Sequence, residues 1–131
     1  GRRLLLYVED VMHTGDALPL VTADTSLKEG LKEMTRKRLG MTAVVDDRNH
    51  LLGVFTDGDL RRTLDKQIDL SATLMGEVMT ANPRVATPNM LAAAAVHLME
   101  SYKITALPVV NEHRVVVGAL NVHDLFRAGV M

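Results

Sequence analysis

The chain has 131 residues, 47% hydrophobic and 24% charged, which is ordinary for a globular domain and enough for one buried core. A net charge of −1 offers no general attraction to nucleic acid or anionic lipid, and the absence of cysteine excludes disulfides, thiolate metal sites and cysteine nucleophiles while suiting a reducing cytoplasm. No apolar run approaches the roughly 18 residues of a membrane span, and two Phe, two Tyr and no Trp leave little platform for stacking bases, so neither membrane nor nucleic acid is an expected partner.

In chain order, Gly1-Arg2-Arg3-Leu4-Leu5-Leu6 begins without Met and reads as the end of a helix or linker, as an excised piece would. Asp10-Val11-Met12 is expected to form a short helical turn. Ser26-Leu27-Lys28-Glu29 has the form of a capping box and opens an amphipathic helix over 26–39, with Leu27, Leu31, Met34 and Leu39 at roughly helical spacing. Arg36-Lys37-Arg38 suits its C-terminus, and Gly40 stops it. Residues 42–45 and 51–55, joined by a polar turn over 46–50, read as a β-hairpin. Thr56 opens a second helix to about Leu64, whose first turn carries Asp57 and Asp59 where the macrodipole favours negative charge. Residues 65–74 read as a linker, and Glu77-Val78-Met79 as a second short turn. A strand over 84–86, a helix capped by Asn89 and ending near Tyr102, a hairpin of 107–110 and 115–120, and a last helix capped by Asn121 complete the chain.

That order is one pattern written twice. Gly53-Val54-Phe55-Thr56-Asp57-Gly58-Asp59-Leu60 returns 65 positions later as Gly118-Ala119-Leu120-Asn121-Val122-His123-Asp124-Leu125, and Val44-Val45-Asp46 meets Val109-Val110-Asn111 at the same offset. Upstream the offset drifts slightly, with 21–27 answering 85–91 and 8–12 answering 75–79. Each copy runs strand, helix, strand, strand, helix. A unit of about 55–60 residues buries too little surface to be comfortable alone, so residues 1–66 and 67–131 are expected to fold together as one α/β (α+β) domain.

A tandem βαββα repeat, each copy preceded by an acidic-Val-Met turn and closed by Gly-x-x-Thr/Asn-x-x-Asp, resembles a pair of CBS domains, and the resemblance covers nearly the whole chain. More narrowly, Gly1-Arg2-Arg3-Leu4-Leu5, Asp10-Val11-Met12-His13-Thr14-Gly15-Asp16, Phe55-Thr56-Asp57-Gly58-Asp59-Leu60-Arg61-Arg62 and His123-Asp124-Leu125 are similar to the C-terminal CBS pair of bacterial arabinose 5-phosphate isomerases. The resemblance implies repeats related by a pseudo-twofold axis, with clefts for a regulatory nucleotide or nucleotide sugar. It also implies an attached N-terminal sugar-isomerase domain that interconverts ribulose 5-phosphate and arabinose 5-phosphate on the route to Kdo, for lipopolysaccharide or capsule. CMP-Kdo, the activated end product, is the ligand it suggests first, with AMP or ATP second, and a homodimer or tetramer is the expected assembly. A competing reading makes the module an assembly element without a ligand, using an apolar face of the alanine run at 92–95 with Val96 and Met99.

Within this frame Thr56-x-x-Asp59 is the sharpest motif. A hydroxyl and free amides at a helix start can bind phosphate, and a carboxylate three residues on can accept hydrogen bonds from two ribose hydroxyls. The same residues also make a plain capping box that needs no ligand. Asn121-x-x-Asp124 is the second copy, with Asn for the usual hydroxyl and His123 in place of Gly58. Arg61 and Arg62 could offer a guanidinium to a bound anion or simply form a solvated helix face. Thr22, Thr42, Thr87 and Thr105 flank the strands at matching places in the two copies and could contact a base or sugar, or act as ordinary turn and strand threonines. His13-Thr14-Gly15-Asp16 reads as a loop, with a cleft or interdomain role as the alternative. The five His have no metal-like spacing, no cofactor motif is present, and no Gly-x-Ser-x-Gly or P-loop gives catalysis a foothold, so the chain itself is not expected to be an enzyme.

Overall fold

A computed structural model describes residues 5–131; Gly1, Arg2, Arg3 and Leu4 of the amino-terminal motif lie outside the described residues. In chain order the elements are α1 (Val8–Val11), β1 (Leu20–Thr22), α2 (Leu27–Lys37), β2 (Met41–Val45), β3 (Leu51–Thr56), α3 (Asp57–Leu64), α4 (Met75–Val78), β4 (Thr80–Ala81), α5 (Ala92–Tyr102), β5 (Ala106–Val110), β6 (Val116–Asn121) and α6 (Val122–Arg127). They fall into two compact units, one from Pro19–Pro83 and one joining the segment through Leu18 to Arg84–Met131. These units cut across the sequence repeats, because the short turn that leads each copy packs onto the sheet of the other.

In the contiguous unit the sheet runs β1-β2-β3-β4, with β1 parallel to β2 and the other pairings antiparallel. Its core gathers Leu27 and Met34 of α2, Val44, Phe55 and Met75. Leu27 and Met34 share one helix face, as their spacing requires. Ser26 caps α2 by accepting from the Glu29 amide, but the reciprocal half of the expected box is missing. Glu29 pairs with Lys32 instead. The chain read as a linker supplies further acceptors, since the Leu27 and Lys28 amides donate to the carbonyls of Thr73 and Leu70 at 2.7 and 3.0 Å. The helix ends at Lys37 with Arg38 in the left-handed region, two residues before Gly40.

The discontinuous unit has the same lanes with less regular edges. β5 and β6 form the hairpin, while Ala86 makes a single parallel bridge to Val109 and His13 a single antiparallel bridge to Ala119. The strand expected over 84–86 is thus reduced to one bridge, because Pro88, and Pro108 on the facing strand, lack the amides that would extend the ladder on either side of it. α5 begins at Ala92, after the N-cap Leu91, and is not capped by Asn89, whose Oδ1 accepts from the Thr87 hydroxyl. The first α5 amide is satisfied by the Leu6 carbonyl at 2.8 Å. Ala92, Ala95 and Met99 are buried in this unit's own core with Val8, Leu107, Leu120 and Leu125, so that part of the apolar face is used internally, whereas Ala93 and Ala94 of the same run are exposed and Val96 is half-buried.

The hairpin turns of the two copies differ by one charge. Asp46 Oδ1 accepts the Arg48 and His50 amides, both at 2.9 Å, and Asn111 Oδ1 accepts those of His113 and Val115 at 2.9 and 3.0 Å. The His50 amide, first among its causes, holds the Asp46 carboxyl below the usual aspartate range. A depressed folded-state pKa gives a contribution present above the unfolded pKa and lost as the pH falls through the folded one. The Arg48 amide resonance is therefore expected to move on acidification below about pH 4. The His113 amide, held by a neutral side chain, is expected to stay put over the same range, and equal movement of both would contradict this account.

Candidate functional site

Each closing motif builds a small polar cluster around one buried carboxylate. In the first, β3 delivers Thr56 in extended conformation and α3 begins at once, so Thr56 Oγ1 accepts the Asp59 amide at 3.2 Å while Asp59 Oδ2 accepts the Thr56 amide at 2.9 Å. The capping-box reading is therefore realised in full. The Thr56 hydroxyl also donates to Asp59 Oδ2 at 3.1 Å. On the other oxygen, Arg62 Nη2 donates to Oδ1 at 2.6 Å, one helical turn on. Thr80 Oγ1, arriving on β4, donates to the same atom at 3.0 Å.

The second cluster copies the first with changed chemistry. Asn121 Oδ1 accepts the Asp124 amide at 3.0 Å, and Asp124 Oδ2 accepts the Asn121 amide at 2.8 Å. Arg127 Nη2 donates to Asp124 Oδ1 at 2.6 Å, as Arg62 does in its own unit. His13 Nε2 lies 2.8 Å from that oxygen, in the place Thr80 takes in the first cluster. One carboxylate is thus held by a threonine hydroxyl and an arginine, its copy by an imidazole and an arginine.

Thr56, Asp59 and Arg62 come together, as do Asn121 and Asp124, while the remaining candidates stay apart from both carboxylates. Arg61 and His123 are exposed and donate to neither. Thr22 closes a local turn, its hydroxyl bonded to the Asp24 carboxylate and to Thr25. Thr87 bonds Asn89. Thr42 is fully buried on β2 and its hydroxyl has no partner among the described residues. Thr42 and Thr105 do not occupy matching places: Thr42 opposes Phe55 as Leu107 opposes Leu120, and Thr105 takes the position of Gly40, each giving its carbonyl to the first amide of the following helix.

Thr80 and Arg127 are absent from the sequence candidates, and His13, read there within a loop with a cleft or interdomain role as the alternative, is not linked to Asp124 by the sequence. Arg127 lies 65 residues after Arg62, at the offset of the motif itself. His13 and Thr80 stand 67 apart, one step beyond the matched Val8–Met12 and Met75–Met79 segments, so continuing that alignment by one residue would have paired them. A depression of about 450 Å³ beside the start of α3 is lined by Leu31, Met34, Thr35, Arg38, Gly40, Asp57 and Leu60 and includes neither Thr56 nor Asp59. Among the described residues no helix is long and apolar enough to cross a membrane.

Two units of this topology, each closing on a carboxylate-centred helix start, define a CBS pair. The CBS domain family model matches residues 8–66 and 75–130, and the chain belongs to that family. Among curated proteins it is similar to arabinose 5-phosphate isomerase KdsD of Pseudomonas aeruginosa, 56% identical over all 131 residues, and to its counterpart in Escherichia coli, 46% identical over the same length. The chain spans 40% of the length of each. Among solved structures, the CBS domain pair of protein MJ0100, in complex with 5′-methylthioadenosine and S-adenosyl-L-methionine, is 24% identical with a TM-score of 0.83, covering 94% of each chain. CBSX2 in complex with AMP is 26% identical with a TM-score of 0.80, covering 95% of this chain and 96% of its own.

Proposed function

We propose that this chain is the regulatory CBS pair of an arabinose 5-phosphate isomerase and that it binds a nucleotide or nucleotide sugar at the carboxylate clusters. The observation that carries the reading is the 56% identity to KdsD over the full chain, at 40% of that protein's length. An attached sugar-isomerase domain would then perform the interconversion of ribulose and arabinose 5-phosphates, and this chain would adjust it. Support for a nucleotide comes from the AMP complex of CBSX2 and from Asp59, a carboxylate placed beside a guanidinium, which suits a ligand bearing both a diol and an anion. CMP-Kdo has a ribose for Asp59 and a phosphate and carboxylate for Arg62 or Arg61, and as the pathway's end product it would make the module a feedback sensor.

Isothermal titration calorimetry with CMP-Kdo, AMP and ATP tests the proposal. Saturable binding of CMP-Kdo alone is the expected result. Binding of adenine nucleotides alone, with a dissociation constant of about 10–100 μM, would make the chain an energy sensor instead. Silence with all three would overturn the ligand reading.

A further inference from the structure

Asp59 has no free capacity to accept a ligand. An ionised carboxylate offers about four acceptor positions, and here four donors fill them: the Thr56 amide and hydroxyl on Oδ2, and Arg62 Nη2 and Thr80 Oγ1 on Oδ1. Any sugar diol that reaches this carboxylate has to evict a donor. The four are not equally easy to move. The Thr56 amide is fixed by the start of α3, and the Thr80 backbone by its pairing with Val54, which leaves the short hydroxyl side chain little reach compared with an arginine. Arg62 sits on a long arm whose side chain is 70% exposed, whereas that of Asp59 is 7% exposed. Its guanidinium covers the carboxylate from the solvent side and can return to water at little cost.

We propose that Arg62 is a removable lid on Asp59, and that the exchange of its partner selects nucleotides over nucleosides. This rests on the reading that Asp59 receives a ribose. A ribose diol takes the Oδ1 position, and the displaced guanidinium, still tethered one turn along α3, pairs with the ligand's phosphate in bidentate fashion. A nucleoside must break the same Asp59–Arg62 pair but offers the guanidinium nothing in return. Arg62 therefore opposes the sugar and rewards the phosphate, so the discrimination is built into a contact that exists before any ligand arrives.

The test is calorimetry with two matched pairs, AMP against adenosine and CMP against cytidine, on the unaltered chain and on Arg62→Ala, with Arg62→Gln as a second variant that keeps the polar stem. Thermal melting of each variant confirms that it is folded. In at least one pair, removing Arg62 is expected to weaken the nucleotide about tenfold or more while leaving the nucleoside unchanged or tighter, so that the preference for phosphate collapses. Parallel weakening of nucleotide and nucleoside would overturn the lid and leave the nucleotide reading standing. No binding of AMP or CMP to the unaltered chain would also overturn the lid, while the nucleotide reading itself would stand or fall with the CMP-Kdo titration.

Discussion

Replacing Asp59 with alanine is expected to lower the stability of the Pro19–Pro83 unit by about 1.5–3 kcal/mol with no ligand present. The loss comes from the inside of the cluster. Without the carboxylate, the Thr56 amide at the start of α3 and the Thr80 hydroxyl on β4 lose their acceptor together, so the reciprocal half of the capping box and a link between neighbouring chain segments fail at once. Arg62 contributes little of the total, because its guanidinium is exposed and water replaces the carboxylate. Asp59→Asn keeps the shape and one acceptor oxygen and should fall between the two. Urea unfolding curves of the three proteins order them directly, and an alanine variant as stable as the parent would show that the cluster carries no structural weight. If the chain binds a nucleotide, the same substitution should also weaken binding about 10- to 100-fold. That measurement belongs below the unfolding transition of the variant.

Gly53→Ala is the second large effect expected. Gly53 lies on β3 where β4 comes alongside, and a methyl group there would stand 2.6 Å from both the Thr80 carbonyl oxygen and the Met79 sulfur. A flexible sulfur can yield; a backbone carbonyl in a β-ladder cannot without opening the pairing. Overpacking of this kind costs about 1–3 kcal/mol, which in a chain of this size lowers the melting temperature by several degrees. Gly118 holds the same position against Met12 in the other unit. Gly58 provides the contrast, because its nearest neighbours would lie 3.6 Å away, and Gly58→Ala should melt at or slightly above the parent. Similar melting of the two alanine variants would refute the steric account.

Much of this arrangement can be read from the residues. The duplicated Gly-x-x-x-x-x-Asp segment fixes both hairpin-to-helix junctions, since a Thr or Asn side chain ahead of an acidic residue satisfies helix-start amides locally, and local chemistry is what sequence patterns report. The α5 start was misplaced because its first amide is served by Leu6, more than eighty residues earlier, and no local signal announces such a partner. The same holds for His13 and Thr80. Each reaches its carboxylate through an edge pairing between distant segments, so their roles could be seen only by extending the repeat alignment. Thr42 and Thr105 were matched on residue type, whereas the strand register aligns backbone positions irrespective of what they carry.

The exchange of leading turns gives this duplicated chain an unusual genetic economy. A cut between the two sequence copies would leave the first sheet without its β4 edge, and would separate Met12 and His13 from the Gly118 notch and the Asp124 carboxylate that receive them. Neither half would keep its own buried carboxylate fully partnered. The two copies are free to diverge in side chains, as Thr80 and His13 already have, but neither can be deleted without dismantling the other. Duplication here has produced mutual dependence in place of redundancy.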